Sequence, residues 1–239
     1  MKIFASGSCR LIKAINNGYD KVEPLHSMFN NYYGINFCGK LHNIKQHIQF
    51  IQWLHDDIHL PPNILSAFLT SYGTVWGYDW GIEDRNLNYD KKQTIRTGFA
   101  ECDFYLFEIC SLKLFERDGF QVQYELTQDH TCTLQSEEDL YNDLSILISL
   151  LPQGKTIILQ CHFRPNIIYD DNSKMVTNRE IIYNTMNRFC TTKTNIYLYD
   201  PSVLLKTDTS LLDTDDIHFT TEGYAASFSY IYENYMREL

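Results

Sequence analysis

Positive charge is in short supply in this sequence: 20 Lys and Arg stand against 30 Asp and Glu, a net charge of −10. A protein that grips a nucleic-acid duplex needs a basic face to replace phosphate counterions, so nucleic acid is not an expected partner. A small anionic ligand stays compatible, because two or three local cations suffice for it. Long apolar runs are missing as well. No segment approaches the ~20 apolar residues of a transmembrane helix, and no membrane partner is expected. The opening Met1–Cys9 looks like a lipoprotein leader, but its apolar run is too short for a signal sequence. A soluble, cytoplasmic protein is the expectation.

Regular cysteine spacing is absent too. Seven cysteines, an odd number, do not read as a disulfide framework, and free thiols suit a reducing compartment. Cys38 with His42, or Cys161 with His162, are conceivable zinc ligands. Without a Cys-x-x-Cys or paired-His spacing, no metal is expected. Nor is there an internal repeat, a low-complexity tract or a Pro/Gly/Ser linker, so residues 1–239 are expected to form one domain. What the chain has in quantity is core material, 44% hydrophobic residues with 17 Tyr and 14 Phe, and its 21% charged residues exclude disorder by composition.

Four short apolar runs recur: Lys2–Ser6, Asp103–Ile109, Lys155–Cys161 and Asn195–Tyr199. Continuous β-branched and aromatic runs of this length suit strands buried on both faces of a parallel sheet. Between them, His42–His55 sets Ile44, Ile48, Ile51 and Leu54 on one helical stripe, with Asn43 as an N-cap. Ser136 and Asp139 form a capping box ahead of Leu140, Leu144, Leu147 and Leu151. Thr177 and Glu180 form a second one ahead of Ile181 and Ile182, and 221–239 reads as a terminal helix. Strands alternating with helices predict an α/β fold, a three-layer α/β/α sandwich with a mainly parallel, flavodoxin-like sheet. Two stretches stand apart. Phe120–Thr127 alternates as a hairpin or edge strand would, and Tyr72–Gly81, with Trp76 and Trp80, reads as an aromatic loop.

Ligands of open α/β sheets sit beyond the carboxyl ends of the strands. Those ends here carry Gly7-Ser8-Cys9-Arg10, Glu108-Ile109-Cys110-Ser111, Cys161-His162-Phe163-Arg164 and Asp200-Pro201-Ser202. At the first end, small residues before a helix put Cys9 at a helix N-terminus, where the dipole favours a thiolate or an oxyanion. Either Cys9 is a nucleophile or it is a small buried filler after a turn. Near the other end of the chain stands Asp215-Asp216-Ile217-His218. Either Asp215 orients the imidazole of His218 as a base, or the segment is a solvated acidic loop.

Taken together, the Gly-x-nucleophile turn after the first strand and the Asp-x-x-His before the last helix resemble the SGNH/GDSL hydrolase superfamily. There the first block reads Gly-Asp-Ser, and the last supplies Asp and His from one short loop. Gly7-Ser8-Cys9 matches with Cys in the nucleophile place, as in the GSCFA-like and polysaccharide-biosynthesis acyltransferase-like relatives. Asp215 and His218 match the last block outright. The resemblance implies Cys9, His218 and Asp215 as catalytic, with Ser8 and Gly39 near the oxyanion. The superfamily's Gly-x-Asn-Asp is missing, and Glu108-Ile109-Cys110-Ser111 stands in its place. Ser111 is the stand-in for the Asn donor, and Glu108 is a group to orient an amine. His162 and Arg164 are candidates for a phosphate or sugar hydroxyl, unless Arg164 pairs with Asp170 or Asp171. Arg10 is a candidate for a cofactor phosphate, unless it pairs with an acid.

Two reactions fit this constellation. In the first, an acyl group passes from acetyl-CoA, the expected donor, to the amine of a nucleotide-linked amino sugar in glycan biosynthesis. In the second, water accepts it and the chain is a carbohydrate esterase or deacetylase. A non-catalytic carbohydrate-binding protein on the same scaffold is the third possibility. The expected partners are small molecules: an acyl-CoA with a nucleotide sugar or a glycan.

Overall fold

The computed structural model describes residues 1–18, 20–24, 29–30, 35–36, 41–69, 89–122, 130–164, 174–214 and 218–237. The predicted strands form with their starts trimmed by at most one residue. They are β1 (Lys2–Ser6), β5 (Phe104–Ile109), β9 (Thr156–Cys161) and β10 (Ile196–Tyr199). A two-residue edge strand that the sequence did not announce, β2 (Glu23–Pro24), completes the sheet. Its order is β10-β9-β5-β1-β2, and every pairing is parallel. All six residues of β5 and all six of β9 are buried, so both faces of the sheet are covered.

The helices that cover it are α1 (Cys9–Asn16), α2 (Ile44–Leu54), α3 (Pro62–Leu69), α4 (Tyr89–Ala100), α5 (Glu137–Ser149), α6 (Lys174–Cys190), α7 (Ser202–Leu205) and α8 (Thr221–Ile231). Phe4 of β1 packs on Phe99 of α4 (ring centroids 4.7 Å apart) and Phe50 of α2 (6.2 Å). Side chains alternate across a strand, so Ile3 and Ala5 face the opposite layer. There α1 packs against α8 so closely that a Cβ on Gly18 would fall 2.0 Å from the Phe228 ring. The architecture is a three-layer α/β/α sandwich.

Local chemistry explains the helix starts. Asn43 caps α2 and shares a capping box with Gln46, whose Nε2 then reaches the carbonyl of Val122 (3.1 Å). The Ser136 hydroxyl accepts from the Asp139 N–H at the start of α5. Thr177 lies inside the helix and not at its start: α6 begins three residues earlier, at Lys174. The terminal helix ends sooner than expected. α8 stops at Ile231, and a π-turn over Tyr232–Met236 brings the Tyr235 hydroxyl to the Leu198 carbonyl (3.0 Å), on the open edge strand β10.

Three further strands form an antiparallel sheet, ordered β7-β6-β8: β6 (Lys113–Arg117), β7 (Phe120–Gln121) and β8 (Thr131–Leu134). Gln49 of α2 serves β7 as a strand partner would, donating to the Gln121 carbonyl (2.9 Å) and accepting its N–H (2.7 Å). The short strands β3 (Phe29–Asn30) and β4 (Ile35–Asn36) pair with each other. The remainder of the predicted alternating stretch, 123–127, and the Trp-rich segment 72–81 lie outside the described residues.

Candidate active site

The strand order reverses between β1 and β5: the chain leaves β1 toward β2 on one side and continues through β5, β9 and β10 on the other. In such a sheet the crevice opens at the carboxyl ends of the two strands flanking the reversal. Here these are Gly7-Ser8-Cys9 and Glu108-Ile109-Cys110.

A buried network joins the two ends. Glu108, fully buried, accepts the backbone N–H of Ser8 (2.8 Å) and its hydroxyl (2.5 Å) on one oxygen, and Arg10 Nε (2.9 Å) on the other. The same Ser8 hydroxyl caps α1 by accepting the Arg10 N–H (3.3 Å). Gly7 is required where it stands, since a Cβ there would lie 2.6 Å from Glu108 Cβ. Burial alone pushes the Glu108 carboxyl up, but the Arg10 charge and the Ser8 and Arg10 hydrogen bonds outweigh it and hold the group below its usual range.

These contacts bear on three expectations. Ser8 gives both its donors to Glu108 and has none left for an oxyanion. Glu108 has no exposed surface with which to orient a substrate amine. Arg10, expected to meet a cofactor phosphate or to pair with an acid, pairs with Glu108. Cys9 opens α1 as its first residue; its side chain, like Gly39 and Asp215, lies outside the described residues. Ser111 is half-buried, its N–H bonded to the His42 carbonyl (3.0 Å) and its Oγ accepting the N–H of Lys113 (3.0 Å).

The ends of β9 and β10 add a second network. His162, buried, presents Nδ1 to the Phe163 carbonyl (3.1 Å) and Nε2 to Arg179 Nη2 (3.0 Å). A carbonyl takes only a donor and a guanidinium offers only donors, so the proton sits on Nδ1. Burial first, then the charges of Arg10 and Arg179, hold this imidazole well below the usual histidine range. Arg164 pairs with Asp200 (2.6 Å) and Glu180 (3.3 Å) and lies 3.6 Å over the Tyr183 ring. Its described acids are thus Asp200 and Glu180, whereas Asp170 and Asp171 lie outside the described residues. The Cys110 thiol is pushed up to about 12, by burial and then by Glu108, which makes it a poor nucleophile.

His218 rides on a small closed loop. Leu212 and Phe219 form an antiparallel bridge, the His218 carbonyl accepts the Asp213 N–H (2.8 Å), and Thr220 caps α8 through Gly223 (3.1 Å). Phe219 anchors the loop in an apolar cluster with Ala14 of α1, Phe163, Leu205, Leu212 and Tyr224. The loop is thereby set against α1 and the end of β9, with His218 half-exposed.

A Ser–His pair at the end of β1 is sealed away from any substrate. Ser6 Oγ lies 3.0 Å from His47 Nδ1, and His47 Nε2 lies 3.0 Å from the Glu108 carbonyl, yet both side chains are fully buried. Burial lowers His47 to about 4, against partial opposition from its bond to Glu108. The sign of the pH effect follows. The unfolded chain protonates this histidine near 6.5 and the folded chain near 4, so its stabilising contribution is complete above 6.5 and declines as pH falls toward 4. The loss from His47 alone is about 3 kcal/mol, and His162 acts in the same direction. Melting temperature is expected to hold near neutral pH and to fall steadily between pH 6.5 and 4. An unchanged Tm at pH 5 would contradict neutral, buried imidazoles.

No family model matches the chain, and no curated protein matches it. Among solved structures, the chain is similar over its whole length to a carbohydrate esterase family 3 protein from Talaromyces cellulolyticus. The two share 9% sequence identity, the likeness covers 100% of this chain and 99% of that one, and the TM-score is 0.49.

Proposed function

We propose that this chain is an acyl-group enzyme of the SGNH type that cleaves an acyl ester of a carbohydrate, with His218 as the base and Cys9 at the acyl carbon. The observation that carries this reading is the packing of α1 on α8, with Ala14, Phe163 and Phe219 in one cluster. That packing supports a reading in which the Gly7-Ser8-Cys9 turn and the His218 loop, 209 residues apart in sequence (218 minus 9), meet at the same end of the sheet. Within this reading, Asp215 orients the imidazole, and the first N–H groups of α1 with that of Gly39 receive the oxyanion.

The test is release of acetate from 4-nitrophenyl acetate and from O-acetylated sugars by the wild-type chain. Absence of turnover on every ester would refute the reading. A second reading, transfer of acetyl from acetyl-CoA to a nucleotide-linked amino sugar, uses the same base and oxyanion donors with an amine in place of water. CoA is then expected to raise Tm by mass action, at 100 times its Kd by the equivalent of about 2.7 kcal/mol. No shift with CoA, together with ester cleavage, selects hydrolysis.

A further inference from the structure

His47 takes no part in the chemistry proposed above, yet it occupies a place on α2 that a hydrocarbon ordinarily fills. It is fully buried, on the side of the helix that meets Phe107 of β5 (ring centroids 5.4 Å apart). An imidazole there loses its hydration, and hydrogen bonds at its ring nitrogens must offset that loss. We propose that His47 is a positioning residue that fixes the spacing between the carboxyl ends of β1 and β5, and so aims the Gly7-Ser8 turn leading into Cys9; this role rests on the site assigned under the proposed function.

The ladder between β1 and β5 ends at the pair Ser6 and Phe107, and beyond it the chain of β1 turns away into α1. His47 takes over at that point. Its Nε2 lies 3.0 Å from the Glu108 carbonyl, and its Nδ1 lies 3.0 Å from Ser6 Oγ. A carbonyl only accepts, so Nε2 carries the proton and Nδ1 is left to accept the Ser6 hydroxyl. One ring therefore clamps the two strands that flank the crevice. Phe107 meets the ring edge-on, at an interplanar angle of 78°. Burial lowers the imidazole to about 4, so it stays neutral at neutral pH and keeps its acceptor at Nδ1. Both clamped residues lead directly to the site. Ser6 immediately precedes Gly7, and the Glu108 carboxylate accepts the Ser8 N–H (2.8 Å) and Arg10 Nε (2.9 Å). Backbone and side chain of Glu108 are thus held separately, the first by α2 and the second by the start of α1. A loss at His47 reaches the turn through Ser6 and through Glu108.

The test compares His47→Phe, which keeps an aromatic ring but makes neither bond, with His47→Gln, whose amide can still donate to the Glu108 carbonyl. Phe50→Leu, on the same helix and packed on Phe4, is the control for destabilisation without loss of the clamp. All are assayed on 4-nitrophenyl acetate at temperatures equally far below their own Tm. His47→Phe is expected to lower kcat by about tenfold or more with KM within about twofold of the wild type, the mark of a misplaced reacting group. His47→Gln should recover part of that loss, and Phe50→Leu should lose Tm but not kcat. Ser6→Ala should lose less than His47→Phe and add nothing to it in the double variant, because the Ser6 bond is already gone. Hydrogen exchange gives a second readout that needs no turnover. In His47→Phe the amides of Ser8 and Arg10, bonded to Glu108 and to the Ser8 hydroxyl, should quicken by about tenfold beyond any change in α5 and α6. A kcat in His47→Phe equal to that of Phe50→Leu, or exchange that quickens uniformly along the chain, overturns the proposal. Should His47→Phe fail to fold, His47→Gln and Ser6→Ala decide by the same two readouts. If the wild type cleaves no ester, exchange alone decides. Selective loosening of Ser8 and Arg10 then supports the clamp and refutes the acyl reading alone, and uniform loosening refutes the clamp.

Discussion

Replacing His218 with alanine is expected to lower kcat on a cleaved ester by about 100-fold or more, the contribution of a positioned general base. The fold should tolerate the change. His218 is half-exposed, and Phe219 and the Leu212 bridge anchor its loop. Stability should therefore move by less than about 1 kcal/mol. That separation of activity from stability is what distinguishes a base from a packing residue. Cys9→Ala divides the mechanism further. If the thiol forms an acyl-enzyme, the variant should lose as much rate as His218→Ala, and the double variant no more than either single one, because the two residues then act as one unit. If water or an amine attacks directly, Cys9→Ala keeps a substantial fraction of the rate while His218→Ala does not. Full turnover by His218→Ala on a confirmed substrate would remove the base from the scheme.

The sheet was legible because its strands are continuous apolar runs, which only burial on both faces requires. The antiparallel sheet was not, and the cause lies in its residues. Lys113–Arg117 is mostly polar, and Thr131–Leu134 is exposed throughout, so neither carries a hydrophobic period. The two-residue β2 has no pattern to read. At the site, residue type was legible and role was not. Glu108 at a strand end reads alike as a substrate ligand or as a buried anchor, and only the partners settle which. Its partners are Ser8 and Arg10, about a hundred residues away in sequence. Arg179 escaped for a different reason. Reading Thr177 and Glu180 as a capping box puts the helix start too late and leaves Arg179 at a solvated terminus. Its spacing from Ile182 and Met186, three and seven residues on, was the available signal, since a cation on an apolar stripe has a partner or a ligand.

Glu108→Ala should be the most destabilising single substitution at the sheet end, for reasons that its three bonds make additive in kind. Arg10 is left as a charge 7% exposed, without the carboxylate that now faces its Nε. Breaking one side of a buried ion pair costs about 3–5 kcal/mol, and Tm in a chain of this length should fall by roughly 10 °C. The Ser8 N–H and hydroxyl lose their acceptor as well, so the turn that presents Cys9 loosens and activity should fall with stability. Glu108→Gln separates the two effects, because it keeps an acceptor for Ser8 while removing the charge opposite Arg10. Restoration of turnover without restoration of Tm would show that the turn depends on the hydrogen bonds and the fold on the charge. The pH dependence supplies a further check. Glu108 is held below the ordinary carboxylate range, so its contribution is complete above that range and is lost as pH falls through the lowered value. The Tm deficit of Glu108→Ala should accordingly be largest near neutral pH and shrink only under strong acid, below the window in which His47 acts. A deficit under 2 °C at pH 7 would mean that the buried pair contributes nothing to holding β1 and β5 at the crevice.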